Sequence, residues 1–245
     1  MEKADPAIEP MHLARTAGLF RAVARSLLEL VYPPRCAACG EAVVAEPFCA
    51  ICGEALLPVP AGCARCGQPG PDDPCGACRT SPPPFDSVRA GGLFGGPLAD
   101  AIHALKYGGR PALARPLGAW LAAQVALPRG AFILSVPLGR ARRIARGYDQ
   151  AALLADALAR GCGGARRLRG ALRRIRETPP QVGRSRAERA RNVADAFAAH
   201  PSVAGMDLYL VDDVVTTGAT AAAATLALRQ AGARSATVIA LARAE

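Results

Sequence analysis

Residues 208–220 read LYLVDDVVTTGAT: four apolar residues run into two adjacent carboxylates and then into a stretch of Thr and Gly. Leu208 to Val211 have the unbroken apolar character of a strand buried on both faces of a parallel sheet. Aspartates are almost never fully buried without a partner, so Asp212 and Asp213 need something to meet them at the strand's end. The chain then leaves Val215 through Thr216, Thr217, Gly218 and Ala219 into a helix expected to begin near Thr220. Gly218 permits a sharp turn, the first amides of a helix are unsatisfied donors, the threonine hydroxyls add uncharged ones, and the helix dipole favours an anion. That composition describes a phosphate cradle. Each carboxylate can accept hydrogen bonds from a pair of neighbouring hydroxyls, so the two halves together describe a ribose 5-phosphate site. Helix capping is the plainer alternative for any one Thr or Asp. The ordered succession of apolar strand, acidic pair, Thr-Thr-Gly and helix favours the site, and neither G-x-x-x-x-G-K-[ST] nor G-x-G-x-x-G is present in it.

Outward from this stretch, strand and helix patterns alternate. DSVRAGGLF (86–94), AFILSVPL (131–138), LYLVDDVV (208–215) and SATVIALARA (235–244) read as strands. PLADAIHALKY (97–107), RPLGAWLAAQVA (115–126), QAALLADALAR (150–160) and ATAAAATLALRQAG (219–232) read as helices. RLRGALRRIR (167–176) alternates weakly, as a strand would, and SRAERARNVADAF (185–197) reads as a short helix and return. Such alternation means crossover units and an α/β fold, with a parallel sheet covered on both faces. Lys106 and Tyr107 fall where they could line a site, whereas His103 on its Ala/Leu-rich helix reads as packing; His12 and His200 carry no signal.

Eight of the nine cysteines form four CxxC pairs: Cys36/Cys39, Cys49/Cys52, Cys63/Cys66 and Cys75/Cys78. Zinc prefers four soft ligands in a tetrahedron and a CxxC turn can aim two thiolates at one ion, so eight ligands make two closed, structural sites. Sequential pairing is the expectation, and interleaved pairing also fits the spacing. A disulfide framework would need an export signal, which the opening MEKADPAIEPMHLARTAG lacks. Gly40, Gly53, Gly67 and Gly76 suit tight knuckles beside the metal. With about 10 kcal/mol of folding free energy from each structural zinc, this segment can hold its shape almost without a core. Cys162, alone in RGCGGA, reads as an ordinary thiol.

The domain division expected is an amphipathic helix within residues 1–34 (its periodic part at 12–31), a Cys-rich zinc module at 35–81, and the α/β domain at 82–245, with TSPPPFD (80–86) as the linker. No apolar run reaches the roughly 18 to 20 residues of a membrane span, which points to a cytoplasmic protein. The formal charge is +10. Residues 140–191 hold fifteen Arg and no Lys against four acids, so the rest of the chain is near neutral. A positive field of this kind attracts a nucleic acid or a compact phosphorylated molecule, while a solvated arginine face is the plainer alternative. Six Phe, four Tyr and one Trp are few for the stacking platforms of single-strand binders.

Residues 208–220 resemble the phosphoribosyl pyrophosphate (PRPP) motif of type I phosphoribosyltransferases. VYPPRCAACG, FDSVRAGGLF, HALKYGGR, VPLGRARRIARGYDQAALLADAL and RETPPQVGRSRAERARNVADAF further resemble blocks of the ComF family, which joins a Cys-rich zinc module to such a domain. The resemblance implies that Asp212 and Asp213 hold the ribose hydroxyls, and that Thr216, Thr217, Gly218, Ala219 and Thr220 bind the 5-phosphate. It places pyrophosphate at the loop Leu138 to Arg143, with Leu138 and Gly139 binding and Arg140 and Arg143 stabilising the leaving group. It also implies a mobile loop over 176–192, with Arg176, Gln181, Arg189 and Asn192 at recurrent positions and Arg189 acting in catalysis. PRPP would bring Mg²⁺, and the acceptor is an unknown, nitrogenous one. The alternative reading is a non-catalytic PRPP sensor of DNA uptake that binds single-stranded DNA or a protein through its zinc module and arginines. Asp149, Tyr148 and Arg184 depart from the family's usual Asn, Phe and apolar residue.

Overall fold

The computed structural model of the chain describes residues 33–44, 47–177 and 195–244. The helix expected at 12–31 and the lid positions Gln181, Arg184, Arg189 and Asn192 lie outside the described residues.

After two short helices in the Cys-rich segment, α1 (Ala50–Glu54) and α2 (Gly76–Thr80), the chain builds β1 (Ser87–Leu93), α3 (Gly96–Tyr107), α4 (Ala114–Gln124) and β2 (Phe132–Ser135). Next come α5 (Arg140–Arg146), α6 (Gln150–Gly161), β3 (Arg166–Arg167), β4 (Leu172–Arg174) and β5 (Phe197–Ala199). The last unit is β6 (Asp207–Val215), α7 (Ala219–Gln230) and β7 (Ser235–Arg243). Five strands form a parallel sheet in the order β1-β7-β6-β2-β3. The fold is thus the expected one: a phosphoribosyltransferase-like parallel sheet flanked by helices, with a Cys-rich module at its N-terminal side.

Each sheet face buries a different layer. Leu98, Ile102 and Leu105 of α3, Leu117 and Leu121 of α4, and Leu154 and Leu158 of α6 pack with Ile133, Val211 and Ile239. On the opposite face Ala224 and Leu228 of α7 pack with Leu134, Leu208 and Leu210. Strands buried on both sides explain why β6 and β7 read as nearly continuous apolar runs.

Two sequence expectations need correction. RLRGALRRIR is not one strand: Arg166–Arg167 extends the parallel sheet, while Leu172–Arg174 pairs antiparallel with Phe197–Ala199 in a separate hairpin. Phe197 therefore opens a strand that sequence reading took for the return from a helix. Strands of two and three residues are too short for a period-2 pattern to register. Second, the stretch 138–143 is not all loop, because α5 starts at Arg140.

The Cys-rich module is docked along the edge strand β1. The Leu93 amide donates to the Leu57 carbonyl at 2.8 Å, which occupies an edge group that would otherwise invite pairing with another chain. The Phe48 ring meets Trp120 of α4 edge-on, with centroids 5.8 Å apart. Phe85, at the end of the expected linker, is 1% exposed and packs with Val88, Val215 and Cys66. The segment that joins module to sheet is therefore anchored in the core.

Candidate active site and metal centres

β6 carries the acidic pair to its carboxyl end. Successive strand residues point to opposite faces, so Asp212 and Asp213 cannot look into the same space. Asp213, 5% exposed, turns toward the α3/α6 layer. Its Oδ1 sits 2.8 Å from Lys106 Nζ and its Oδ2 accepts from Gln150 Nε2 at 2.8 Å. Arg146 donates to Gln150 Oε1, and its guanidinium lies 5.3 Å over the Tyr107 ring. Asp213 is thus held in a polar network built from α3, α5 and α6. Asp212, partly exposed, accepts the Asp213 amide at 2.8 Å and faces the hairpin side. Burial, and then the neighbouring Asp213 carboxylate, push its carboxyl up to about 8, against the pull of Lys106. Arg174 of β4 is lowered by its own burial and then by the nearby Arg142, while Glu177 and Asp212 act the other way. Arg142, Arg174, Glu177 and Asp212 therefore share one electrostatic neighbourhood.

Beyond Val215 the chain turns at Gly218, whose φ of +74° favours a residue without Cβ. Ala219 N donates to Thr217 Oγ1 at 3.3 Å, and α7 runs away from this turn for 12 residues. Across the cleft, Val136 N donates to Val211 O at 2.8 Å, bringing the chain after β2 beside Asp212. Leu138 N is held at 3.0 Å by Asp149 Oδ2, whose Oδ1 accepts from Ala152 N at the start of α6. The carboxylate at 149 makes both bonds as acceptor. Gly139 is the N-cap of α5, and Arg140 N donates to Glu177 Oε1. A Cβ on Gly139 would stand 2.5 Å from Glu177 Oε2. Arg140 and Arg143 have exposed side chains on this helix. The parallel pairing of β2 and β6 thus places Leu138, Gly139 and Arg140 at the same end of the sheet as the acidic pair and the turn at Thr216 to Thr220.

Gln150, Arg174, Glu177 and Arg243 were not singled out by sequence reasoning. Gln150 follows Asp149 in an ordinary helix start, and no local pattern marks it. Arg174 lies in the weakly alternating segment 167–176 that reads as a strand, and Glu177 at the start of the segment 176–192 that reads as a mobile loop.

The eight paired cysteines form two clusters, Cys36/Cys39/Cys49/Cys52 and Cys63/Cys66/Cys75/Cys78, in each of which the sulfurs lie within 4.8 Å of one another. Pairing is sequential. Cys39 and Cys49 Sγ are 3.7 Å apart, and Cys66 and Cys75 Sγ 3.6 Å. A tetrahedron with zinc–sulfur bonds of about 2.3 Å has edges of about 3.8 Å, so the donors fit zinc. Burial raises the Cys36 thiol, but backbone N–H groups of Cys49, Cys39 and Ala38 more than offset it and hold it at about 6. Cys63 is held at about 6 in the same way. Burial and then the neighbouring sulfurs push Cys52 up to about 12 and raise Cys78. Four thiolates therefore need a dication among them. In each cluster the first pair sits on a turn closed by a left-handed glycine, Gly40 (φ +79°) and Gly67 (φ +67°). Contrary to expectation, Gly53 and Gly76 form no knuckle: they lie inside α1 and α2, which carry Cys52 and Cys78. Cys162, half-buried with a thiol raised by burial, stands apart from both clusters.

A phosphoribosyltransferase-like α/β domain bearing two Cys₄ zinc centres is the class of protein that fold and site define. The double zinc ribbon domain model matches residues 27–81. The DNA utilization protein YhgH of Salmonella typhi is 36% identical over 169 residues, covering 65% of this chain and 74% of that protein. Competence protein F of Haemophilus influenzae is 32% identical over 182 residues, covering 69% and 78%. The allosteric regulatory enzyme of purine biosynthesis is similar at 24% identity and a TM-score of 0.37, over 52% of this chain and 25% of that one. The chain belongs to the ComF family, together with YhgH and competence protein F. Among the described residues, no helix is long and apolar enough to cross a membrane.

Proposed function

We propose that the protein binds PRPP and transfers its phosphoribosyl group to a nitrogenous acceptor, releasing pyrophosphate, in the cytoplasm. The observation that supports this reading is that β2 and β6 pair in parallel, so that Asp212, the turn at Thr216 to Thr220 and the Leu138–Arg143 segment all leave the same, carboxyl end of the sheet. Ligands of parallel sheets bind there. The turn and the first amides of α7 take the 5-phosphate, and Asp212 takes the ribose diol. Asp213, engaged by Lys106 and Gln150, anchors the strand end beneath it. The Gly139 amide, on a loop pinned by the bond from Leu138 N to Asp149, and the forked donors of Arg140 and Arg143 receive the pyrophosphate and stabilise its growing charge as the C1–O bond breaks. Arg189 belongs to the same reading as a lid residue over the reacting ribose. Mg²⁺ arriving with PRPP would neutralise charge between pyrophosphate and ribose hydroxyls. Asp212 is the donor that fits it, once ionised. The acceptor attacks C1 with its own nitrogen lone pair, so no strong base is required of the chain.

A second reading, a PRPP sensor that binds single-stranded DNA in DNA uptake, is favoured by one arrangement. Phe94 and His103 rings are 5.7 Å apart, His103 and Tyr107 6.1 Å, and Arg146 caps the 75% exposed Tyr107. His103, which sequence reading took for a packing residue, is exposed. With Tyr107 and the Arg146 guanidinium it offers aromatic and cationic groups side by side on the surface, although the rings meet edge-on or tilted rather than stacked.

Calorimetry with PRPP and Mg²⁺ tests the first reading: binding is expected in the wild type and lost with Asp212→Asn plus Asp213→Asn. Unchanged affinity in the double variant removes the site. A screen of bases and amines for PRPP-dependent pyrophosphate release then separates turnover from sensing. DNA binding that survives the double variant but falls in Tyr107→Ala favours the second reading.

A further inference from the structure

Arg243 ends β7 directly opposite Val215 in the sheet register, and it is 5% exposed. Its guanidinium draws together acceptors from two parts of the chain that carry different chemistry. Nη1 donates to the carbonyls of Val215 (3.0 Å), Thr216 and Ala244, the first two at the start of the phosphate turn. Nε donates to the carbonyl of Cys66 at 3.2 Å, and Nη2 to Gln68 Oε1 at 2.6 Å. Cys66 is a ligand of the second cluster, and Gln68 follows its glycine knuckle. Phe85 makes a parallel connection. Its ring packs with Cys66 and Val215, and it lies 3.3 Å from where a Cβ on Gly218 would stand. Between the two runs a cavity of about 160 Å³, with Cys66, Gln68 and Cys75 on one wall and Thr216, Thr217 and Gly218 on the other. The first cluster is placed differently, with Cys36 and Cys52 packed in the α3/α4 layer.

We propose that Arg243 makes the second Cys₄ centre part of the scaffold of the phosphate turn, so that metal held there and a phosphate ligand held at Thr216–Thr220 strengthen one another. Among the described residues the first centre has no such link, and it serves as the internal control. A guanidinium is suited to the task, since its planar fork fixes several carbonyls at defined angles where an ammonium could not. Coupling between two binding sites is reciprocal: if metal at the second centre orders the turn, ligand at the turn must slow metal release. This rests on the reading that the turn binds phosphate, and the test separates the two.

The full-length zinc-loaded protein is mixed with a chromogenic chelator, with and without saturating PRPP and Mg²⁺, and zinc transfer is followed in time. One of two release phases is expected to slow by roughly five-fold or more, the lower end of ordinary coupling. That phase should be absent from Cys75→Ser and present in Cys49→Ser. Gln68→Leu, which removes one strap contact and keeps all eight thiolates, should lose most of the protection. Arg243→Lys should lose it too, with both zinc ions still bound at the start. PRPP that binds by calorimetry yet slows neither phase, or slows the one missing from Cys49→Ser, overturns the proposal. If PRPP does not bind at all, the phosphate reading fails on its own. Amide exchange at 216–220 then reads the scaffold directly: faster exchange in Cys75→Ser but not in Cys49→Ser supports the strap, and equal exchange refutes it.

Discussion

Asp212 should destabilise the ligand-free protein, and replacing it should stabilise the fold while removing its function. Its carboxyl is pushed from an ordinary 3.8 to about 8, first by burial and then by Asp213. Between those two values the native state keeps a proton that the unfolded chain releases, so stability falls as pH rises. Each pH unit costs about 1.4 kcal/mol, and the loss is complete near pH 8, where the native group ionises as well. At pH 7 roughly three units of this loss have accrued, on the order of 4 kcal/mol as a ceiling that the partial exposure of Asp212 and screening by solvent bring down. Asp212→Asn is nearly isosteric and its Oδ1 still accepts the Asp213 amide, but it has no charge to desolvate. Urea unfolding of both proteins in zinc-buffered solution from pH 5 to pH 9 measures the difference, and contributions from the thiolates cancel between them. The expected advantage of the variant is about one pH unit's worth at pH 5, grows with pH and levels off above pH 8. An advantage that stays flat across this range, or a variant less stable than the wild type, would refute the reasoning. The same proton accounts for ligand linkage: PRPP with Mg²⁺ should bind more tightly as pH rises toward 8, with proton release on binding.

Glu177→Gln removes a carboxylate from the Arg140 amide at the start of α5, where a pyrophosphate oxygen would otherwise be received. Inorganic pyrophosphate should bind roughly two- to five-fold more tightly by calorimetry, the scale of one helix-end charge. Lys106→Met leaves the buried Asp213 carboxylate with Gln150 alone, and thermal unfolding should report a loss of about 3–5 kcal/mol. Adding Asp213→Leu to that variant should recover much of it, because no buried charge then lacks a counter-ion. Gly118→Ala drives a methyl into Ala157 where α4 crosses α6, and should cost about 1–3 kcal/mol in urea unfolding. Gly53→Ala meets nothing within 4 Å inside α1 and should be neutral or slightly stabilising in the same assay.

Much of this protein was legible in one dimension because its chemistry is carried by neighbours in sequence. Four CxxC pairs at short spacing dictate two thiolate centres wherever they fold, since each turn aims its own two sulfurs. The apolar run ending in two acids and Thr-Thr-Gly marks a parallel strand handing over to a helix, since every feature needed for that handover lies within thirteen residues. Other facts depend on residues far apart in the chain. That Asp213 is an anchor and Asp212 faces the other side of the sheet follows from strand alternation together with Lys106 and Gln150, which reach the strand end only when α3 and α6 pack on the sheet. The hairpin of β4 and β5 escaped because three residues cannot display a period, and pairing of that hairpin is what sets Arg174 over the Phe197 ring and within electrostatic reach of Asp212. Sequential zinc pairing shows only in the folded module, where each set of four sulfurs comes together, and the contact of the second centre with the phosphate turn needs Arg243 of β7 to reach Cys66 and Gln68. Local pattern determines which groups a segment can offer, and burial against distant segments decides which of them face each other.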